Sequence, residues 1–316
     1  MTEVEPQAPA TTVMTLPPTV VIREVGPRDG FQSEQPVAPV DRAALVDRLV
    51  GAGCQRIEAV SFVSERAVPA MAGAAEVLAM LTTRDRFRLT ALAANLRGAE
   101  AALQAGVDEI TVTIAASETY NLRNVRRSIA ESLVEIRRIC VLATDAAIPV
   151  DAVVSCAFGS PYEGDIEATA VADLCRCLED AGAAALTLAD TTGMATPRVL
   201  SGVLARTGAG VGLHLHETRR TGLVNAYAAL QGGVARFDTA AGGLGGSPFA
   251  DGAGGNLATE DLVALLDDFG IWCGIDLERL LGVTDSVVRL VGHDVPSRLS
   301  TVGPRTRLVT PAATDT

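Results

Sequence analysis

The sequence predicts an α/β fold of the (β/α)8, or TIM, barrel type with a C-terminal helical extension, and three observations carry that expectation. Short apolar runs rich in Val, Ile, Leu and Thr alternate with longer amphipathic segments, the pattern of parallel strands joined by helices. About eight such units follow one another within roughly 250 residues, the usual span of this barrel. Alanine-glycine pairs stand before several strands, at Ala52-Gly53, Ala105-Gly106 and Ala181-Gly182, where glycine ends a helix at low conformational cost. A doubly wound open sheet is the structural alternative, but no GxGxxG turn follows the first strand to support it.

Residues 1–18 (MTEVEPQAPATTVMTLPP) are rich in Pro, Thr and Ala without sustained periodicity, so a disordered N-terminal segment is expected. The first strand is TVVIREV (19–25), and the GPRDG that follows places Arg28 and Asp29 just beyond its end. An amphipathic stretch from Asp41 to Val50 gives the first helix. RIEAVSF (56–62) carries Glu58 and Ser61, RLTALAA (88–94) leads to Asn95, and EITVTIA (109–115) is the fourth strand. Helical spacing returns from Ser128 to Ala143 and, after the strand VDAVVSCAF (150–158), from Ala170 to Asp180. ALTLAD (185–190) ends on Asp190, and GLHLHE (212–217) holds His214 and His216. RFDTAAG (236–242) opens onto a glycine-rich loop before a helix from Asn256 to Phe269. The barrel with its C-terminal helices is placed at 19–292, and 293–316 is expected to form a flexible tail. Catalytic groups of such barrels gather at the C-terminal ends of strands and in the loops after them, which is where these polar residues fall.

Composition narrows the chemistry. All 26 basic residues are arginine, so no lysine can form a Schiff base, an internal aldimine or the phosphate contact of a P-loop. The formal charge of -12 argues against general binding to nucleic acid or to an acidic membrane, because long-range repulsion opposes both. No apolar run reaches the roughly 18 residues of a membrane span, and residues 1–18 lack the basic start and apolar stretch of a signal peptide. A cytoplasmic location is therefore expected. The six cysteines, at 54, 140, 156, 175, 177 and 273, form no CxxC pair and are expected to be reduced core residues.

His-Leu-His at 214–216 is the sharpest local signal. Residues i and i+2 of a strand point to one face, so both imidazoles can converge on one ion while Leu215 turns outward. Asp29 could add a carboxylate and Asn256 a carbonyl oxygen; imidazoles with oxygen donors suit Mg2+ or Mn2+, with Zn2+ less favoured. The segment AGGLGGSPFADGAGGN (241–256) is the second signal, because its glycine density fits close backbone approach to a ligand or a lid that excludes water.

Taken with VGPRDGFQSE (25–34), IEAVSFVS (57–64), AANLRGAEAAL (93–103), AASET (115–119), VSCAFGSPYEG (154–164), LADTTGMATP (188–197), HLHET (214–218) and GGLGGSPFADGAGGNLATEDLV (242–263), these features resemble the hydroxymethylglutaryl-CoA lyase family. The wider family also includes isopropylmalate and homocitrate synthases. The resemblance implies a metal-dependent barrel that makes or breaks a carbon-carbon bond next to a thioester, as an oxo-acid lyase acting on an acyl-CoA. It assigns Asp29, His214, His216 and Asn256 to a divalent ion. Arg28 would stabilise enolate oxygen charge, Glu58 and Asp190 would orient the substrate hydroxyl or relay its proton, and Gln32, Ser61 and Asn95 would be further polar contacts. A homodimer is expected.

Two departures stand out. The family loop resembles GGLGGCPYA with a reactive cysteine, whereas here Ser247 holds that place, and a hydroxyl is a poor proton donor or base near neutrality. HETRRTGLVN replaces the more usual HDTYGQALAN, which puts Arg219 and Arg220 at the barrel mouth. Together with Arg123, Arg126 and Arg127 these arginines are expected to meet the anionic acyl-CoA substrate through paired hydrogen bonds. The reading is a carbon-carbon lyase for a 3-hydroxy-3-substituted acyl-CoA. A Claisen-type synthase working in the condensation direction and a non-catalytic acyl-CoA-binding paralogue are the alternatives.

Overall fold

The computed structural model describes residues 16–246 and 254–307. Most of the N-terminal segment, Ser247 with its neighbours, and residues 308–316 lie outside the described residues.

Eight parallel strands close into a barrel in sequence order: β1 (Val21–Glu24), β2 (Arg56–Phe62), β3 (Arg88–Ala93), β4 (Glu109–Ala115), β5 (Val150–Ser155), β6 (Ala185–Ala189), β7 (Gly212–His214) and β8 (Arg236–Thr239). The helices α1 (Pro39–Gly51), α2 (Ala74–Ala79), α3 (Leu96–Gln104), α4 (Glu118–Val125), α5 (Ile129–Asp145), α6 (Ala168–Asp180), α7 (Pro197–Thr207) and α8 (Gly222–Gln231) alternate with the strands, and α9 (Thr259–Phe269), α10 (Leu277–Val291) and α11 (Leu299–Val302) follow β8. The expected barrel is thus present with its helical extension. No helix of the described residues is long and apolar enough to cross a membrane.

Local chemistry explains where elements start. Pro39 opens α1 and Pro197 opens α7, where a missing N–H costs nothing. Ser128 and Glu131 form a reciprocal capping box at the head of α5. Strand β5 stops three residues earlier than the apolar run suggested, because Cys156 adopts φ 55°, a left-handed conformation that leaves the strand.

The strands divide their two faces by polarity. Ile57, Leu89, Ile110, Val112 and Phe237 are buried in the apolar layer, and α1 contributes Val46 and Leu49 to the same core. Arg23 of β1 meets Asp238 of the neighbouring β8 and also Glu109 of β4 and Asp151 of β5, and its reach to β4 and β5 is possible only across the lumen. The inside of the barrel is therefore an ion network. At the far end, the Thr19–Val20 segment leads into β1 while pairing with the chain after α9, through Val20 N–H to Trp272 O at 2.9 Å. Beyond α10, Ser297 N–H donates to Gly242 O at 3.1 Å, which lays the C-terminal segment against the base of the glycine loop.

Candidate active site

The mouth of the barrel is built from three stretches that follow β1, β7 and β8. After β1 the chain makes a π-helical turn, Gly26–Gly30, with Gly30 N–H bonded to Val25 O at 3.3 Å and Phe31 N–H to Gly26 O. Such wide turns are uncommon and recur at functional sites. This one buries Arg28 and Asp29 side by side at the top of the lumen. Arg28 Nη1 donates to Asp29 Oδ1 at 2.7 Å and Arg28 Nε donates to Glu58 Oε1 from β2. Gln32 Nε2 adds a bond to Asp29 Oδ1 at 2.9 Å.

One carboxylate holds this turn to the glycine loop. Glu24 Oε1 accepts from Gly26 N–H at 2.8 Å and Ala241 N–H at 3.0 Å, while its Oε2 accepts from the Thr259 hydroxyl at 2.5 Å. Gly26 suits this contact, since a Cβ there would stand 2.5 Å from Glu24 Oε1.

After β7, residues 215–217 run antiparallel to 255–257, with Leu257 N–H on Leu215 O at 2.8 Å and Glu217 N–H on Gly255 O at 2.9 Å. That pairing sets His216 opposite Asn256. His214 Nε2 and His216 Nε2 come within 3.1 Å, and Asp29 Oδ2 lies 3.9 Å from His214 Nε2. One ligand atom each of Asp29, His214 and His216 fall within 4.8 Å of one another, and all three residues are buried. The strand period thus does bring both imidazoles together, although β7 itself ends at His214 and His216 is held by the bridge to Asn256.

The donors fit a divalent cation. Asn256 Nδ2 is spent on Asp29 Oδ2 and Leu244 O, both at 2.8 Å, which leaves its Oδ1 as a buried acceptor with no hydrogen-bond partner among the described residues. Such an orphan is costly unless something satisfies it. Two imidazole nitrogens, a carboxylate and an amide oxygen are a mixed set suited to a hard or borderline ion.

The protonation of Asp29 and His216 agrees with that fit. Burial pushes Asp29 up, but the charge of Arg28, the nearby imidazoles and the Asn256 amide outweigh it and hold the carboxyl below its usual range. Burial and the neighbouring His214 push His216 down to about 3, so its ring is neutral and free to bind a metal. His214 is pushed down by burial and up by its bond to Asp238 and the charge of Asp29, and the net direction is up. Asp190, at the end of β6, is 1 % exposed, and burial drives its carboxyl up to about 7. Its Oδ1 accepts from Ala195 N–H at 2.8 Å, while Oδ2 has no hydrogen-bond partner among the described residues.

The remaining expected contacts are placed as follows. Ser61 is buried in β2. Asn95 caps α3 through Gly98 N–H at 2.9 Å. Arg123 lies over the ring of Tyr162, 4.7 Å from its centroid. Arg219 Nη1 donates to Thr192 O at 2.9 Å and Gly193 O at 2.8 Å, so it ties the loop after β7 to the loop after β6. Arg220 lines a polar cleft of about 410 Å³ with Asp285, Asp294, Ser297 and Arg298. Ser247 is outside the described residues. All six cysteines are free; Cys177 is exposed, and burial pushes the Cys156 thiol up to about 12, so it offers no thiolate near neutrality.

Sequence reasoning missed Arg23, Glu24 and Asp238. The signal for the first and last was the alternation of charged with apolar residues in VIRE and RFDT, which marks a polar lumen rather than two apolar faces.

A closed (β/α)8 barrel with a buried carboxylate, amide and two imidazoles converging at its C-terminal mouth defines a class, the barrel enzymes with a candidate divalent-cation centre. The HMGL-like family model matches residues 19–287, and the chain belongs to the HMGL-like family, whose members generally depend on a divalent metal. Among its relatives, the (R)-citramalyl-CoA lyase of Chloroflexus aurantiacus is 41% identical over 302 residues, covering 90% of this chain and 95% of that one. The 3-hydroxy-3-isohexenylglutaryl-CoA/hydroxymethylglutaryl-CoA lyase of Pseudomonas aeruginosa is 41% identical over 294 residues, 90% of this chain and 97% of that one. Of solved structures, an HMG-CoA lyase from Acinetobacter baumannii in complex with coenzyme A and 3-methylmalate superposes with a TM-score of 0.87 at 39% identity, covering 92% of this chain and 97% of that one.

Proposed function

We propose that this protein is a divalent-metal-dependent lyase that cleaves a 3-hydroxy-3-substituted acyl-CoA into a shorter acyl-CoA and a keto acid. The observation that carries the reading is the buried cluster of Asp29, His214 and His216, with Asn256 bonded to Asp29 and its Oδ1 without a hydrogen-bond partner among the described residues. These four residues would hold Mg2+ or Mn2+. When bound, the cation supplies electrostatic polarisation of the substrate hydroxyl and its neighbouring carboxylate, which lowers the pKa of the hydroxyl.

The chain supplies the rest. Asp190, whose carboxyl is pushed up to about 7 by burial and whose Oδ2 has no hydrogen-bond partner among the described residues, accepts the hydroxyl proton. The C–C bond then breaks, its electron pair passing to the thioester as an enolate while the carbinol carbon becomes a ketone. Arg28 cannot act as a base, since Glu58 and Asp29 hold its proton more firmly still; its fixed charge stabilises the enolate oxygen in a buried site. Return of the proton taken up by Asp190 to the enolate carbon completes the acyl-CoA and restores the carboxylate, so that no net proton is consumed.

The test is a metal-stripped preparation reconstituted with Mg2+ or Mn2+ and offered a panel of 3-hydroxyacyl-CoAs, with products read by mass. A shorter acyl-CoA and a keto acid in equal amounts, formed only with the ion, are expected; ion-independent turnover, or free CoA from a condensation, would overturn the reading. Ser247→Cys should raise hydroxymethylglutaryl-CoA cleavage severalfold if the hydroxyl limits the ordinary reaction. An unchanged rate would place the obstacle in the acyl pocket instead.

A further inference from the structure

We infer that Arg23, one layer below the mouth, is a positioning residue that fixes His214 through Asp238, an inference that rests on the cation centre proposed above. Three observations combine. First, strand register sets the residues side by side: Arg23 in β1 is paired with Asp238 in β8, and Asp238 with His214 in β7. Second, Arg23 grips both oxygens of Asp238, Nε to Oδ1 at 2.9 Å and Nη2 to Oδ2 at 2.7 Å. The same Oδ2 lies 3.5 Å from His214 Nδ1. Third, the guanidinium is anchored from the opposite wall, where Nη1 meets Asp151 of β5 at 2.7 Å and Glu109 of β4 at 3.4 Å.

The physical consequence concerns one proton. His214 can offer Nε2 to an ion only when its proton sits on Nδ1, and a fixed carboxylate facing Nδ1 selects that tautomer and ring orientation. Asp238 could turn about its own side chain if held by the imidazole alone. A planar fork closed on both of its oxygens forbids the turn, and a lysine ammonium cannot reproduce that two-point grip. Arg23 is 4 % exposed, and its hydrogen-bonded route to His214 runs through Asp238, beside a longer-range charge interaction with Glu58 and Arg28.

Arg23→Met and Arg23→Lys test this, with divalent-ion binding measured calorimetrically on the metal-stripped protein and His214 followed by 15N NMR without metal. Partners of this kind typically change metal affinity about 10- to 100-fold. We expect a loss in that range for both variants. At a pH high enough for the His214 ring to be neutral, it should carry its proton on Nδ1 in the wild type and populate both tautomers in the variants. Arg23→Lys keeps the buried positive charge and therefore remains testable if Arg23→Met fails to fold. A folded Arg23→Lys with wild-type ion affinity and an unchanged His214 tautomer would show that Arg23 only balances charge in the lumen. A wild-type protein that binds no divalent ion would remove the cation centre and this role together, an outcome distinct from the former.

Discussion

Glu24 carries a carboxylate into the wall of the barrel with three hydrogen-bond donors but, facing it, a second acid rather than a cation. Burial drives its carboxyl from 4.5 to about 7, opposed by its bonds to Thr259, Ala241 and Gly26, and Glu260 nearby pushes the same way as burial. The sign of the stability effect follows. Between about pH 4.5 and 7 the folded protein keeps a proton that the unfolded chain has released, so the contribution of this residue to stability falls as pH rises through that window. Asp190 and Glu260, pushed up to about 7 and about 6, add to the same slope. Glu24→Gln should flatten part of it: urea midpoints at pH 5 and pH 7.5 are expected to lie closer together in the variant than in the wild type. Equal spacing in the two proteins would mean that Glu24 is already ionised at pH 5 when folded.

At the scale of the element, the short antiparallel contact between 215–217 and 255–257 does what β7 alone does not, because β7 ends at His214. It aligns His216 with Asn256 and passes the chain from the glycine loop to α9. The close packing there has no room for a side chain, since a Cβ on Gly255 would collide with the backbone carbonyl oxygen of Gly243. Gly255→Ala should therefore disturb the cation centre more than the barrel. Divalent-ion affinity and turnover are expected to fall at least tenfold while far-UV circular dichroism keeps the barrel signature. Retention of both activities would mean that the glycine loop can shift without moving Asn256. The π-helical turn after β1 is the other element that sequence did not foretell. GPRDG announces a turn, but whether it winds wide enough to bury Arg28 and Asp29 together depends on the Glu24 clamp and on Glu58 arriving from β2.

For the whole molecule, much was legible in one dimension. Eight strand positions, the amphipathic helices between them and the polar residues at strand ends were set by residue periodicity, because a strand and a helix repeat over distances that local sequence spans. The pairing of His214 with His216 was legible for the same reason, since two residues apart on a strand is a local relation. Asp29 after the first strand and Asn256 beyond the glycine loop could be offered as oxygen donors from their places in the chain, and the resemblance assigned them to the ion. Arg219 shows the limit: its charge and position suggested an anion contact, and only the fold shows its Nη1 on the carbonyls of Thr192 and Gly193. The absence of lysine was equally a fact of sequence, and it removed Schiff-base chemistry from a barrel that could otherwise host it.

What the sequence by itself determined is therefore the order of elements, the faces of each and the inventory of chemistry available to the site. The tertiary structure alone decided which of those groups meet. Arg23 and Asp238 are 215 positions apart, and Glu24 and Thr259 are 235 apart; both contacts exist because β8 closes against β1. No local pattern encodes that closure, which follows from the twist and register of eight strands taken together.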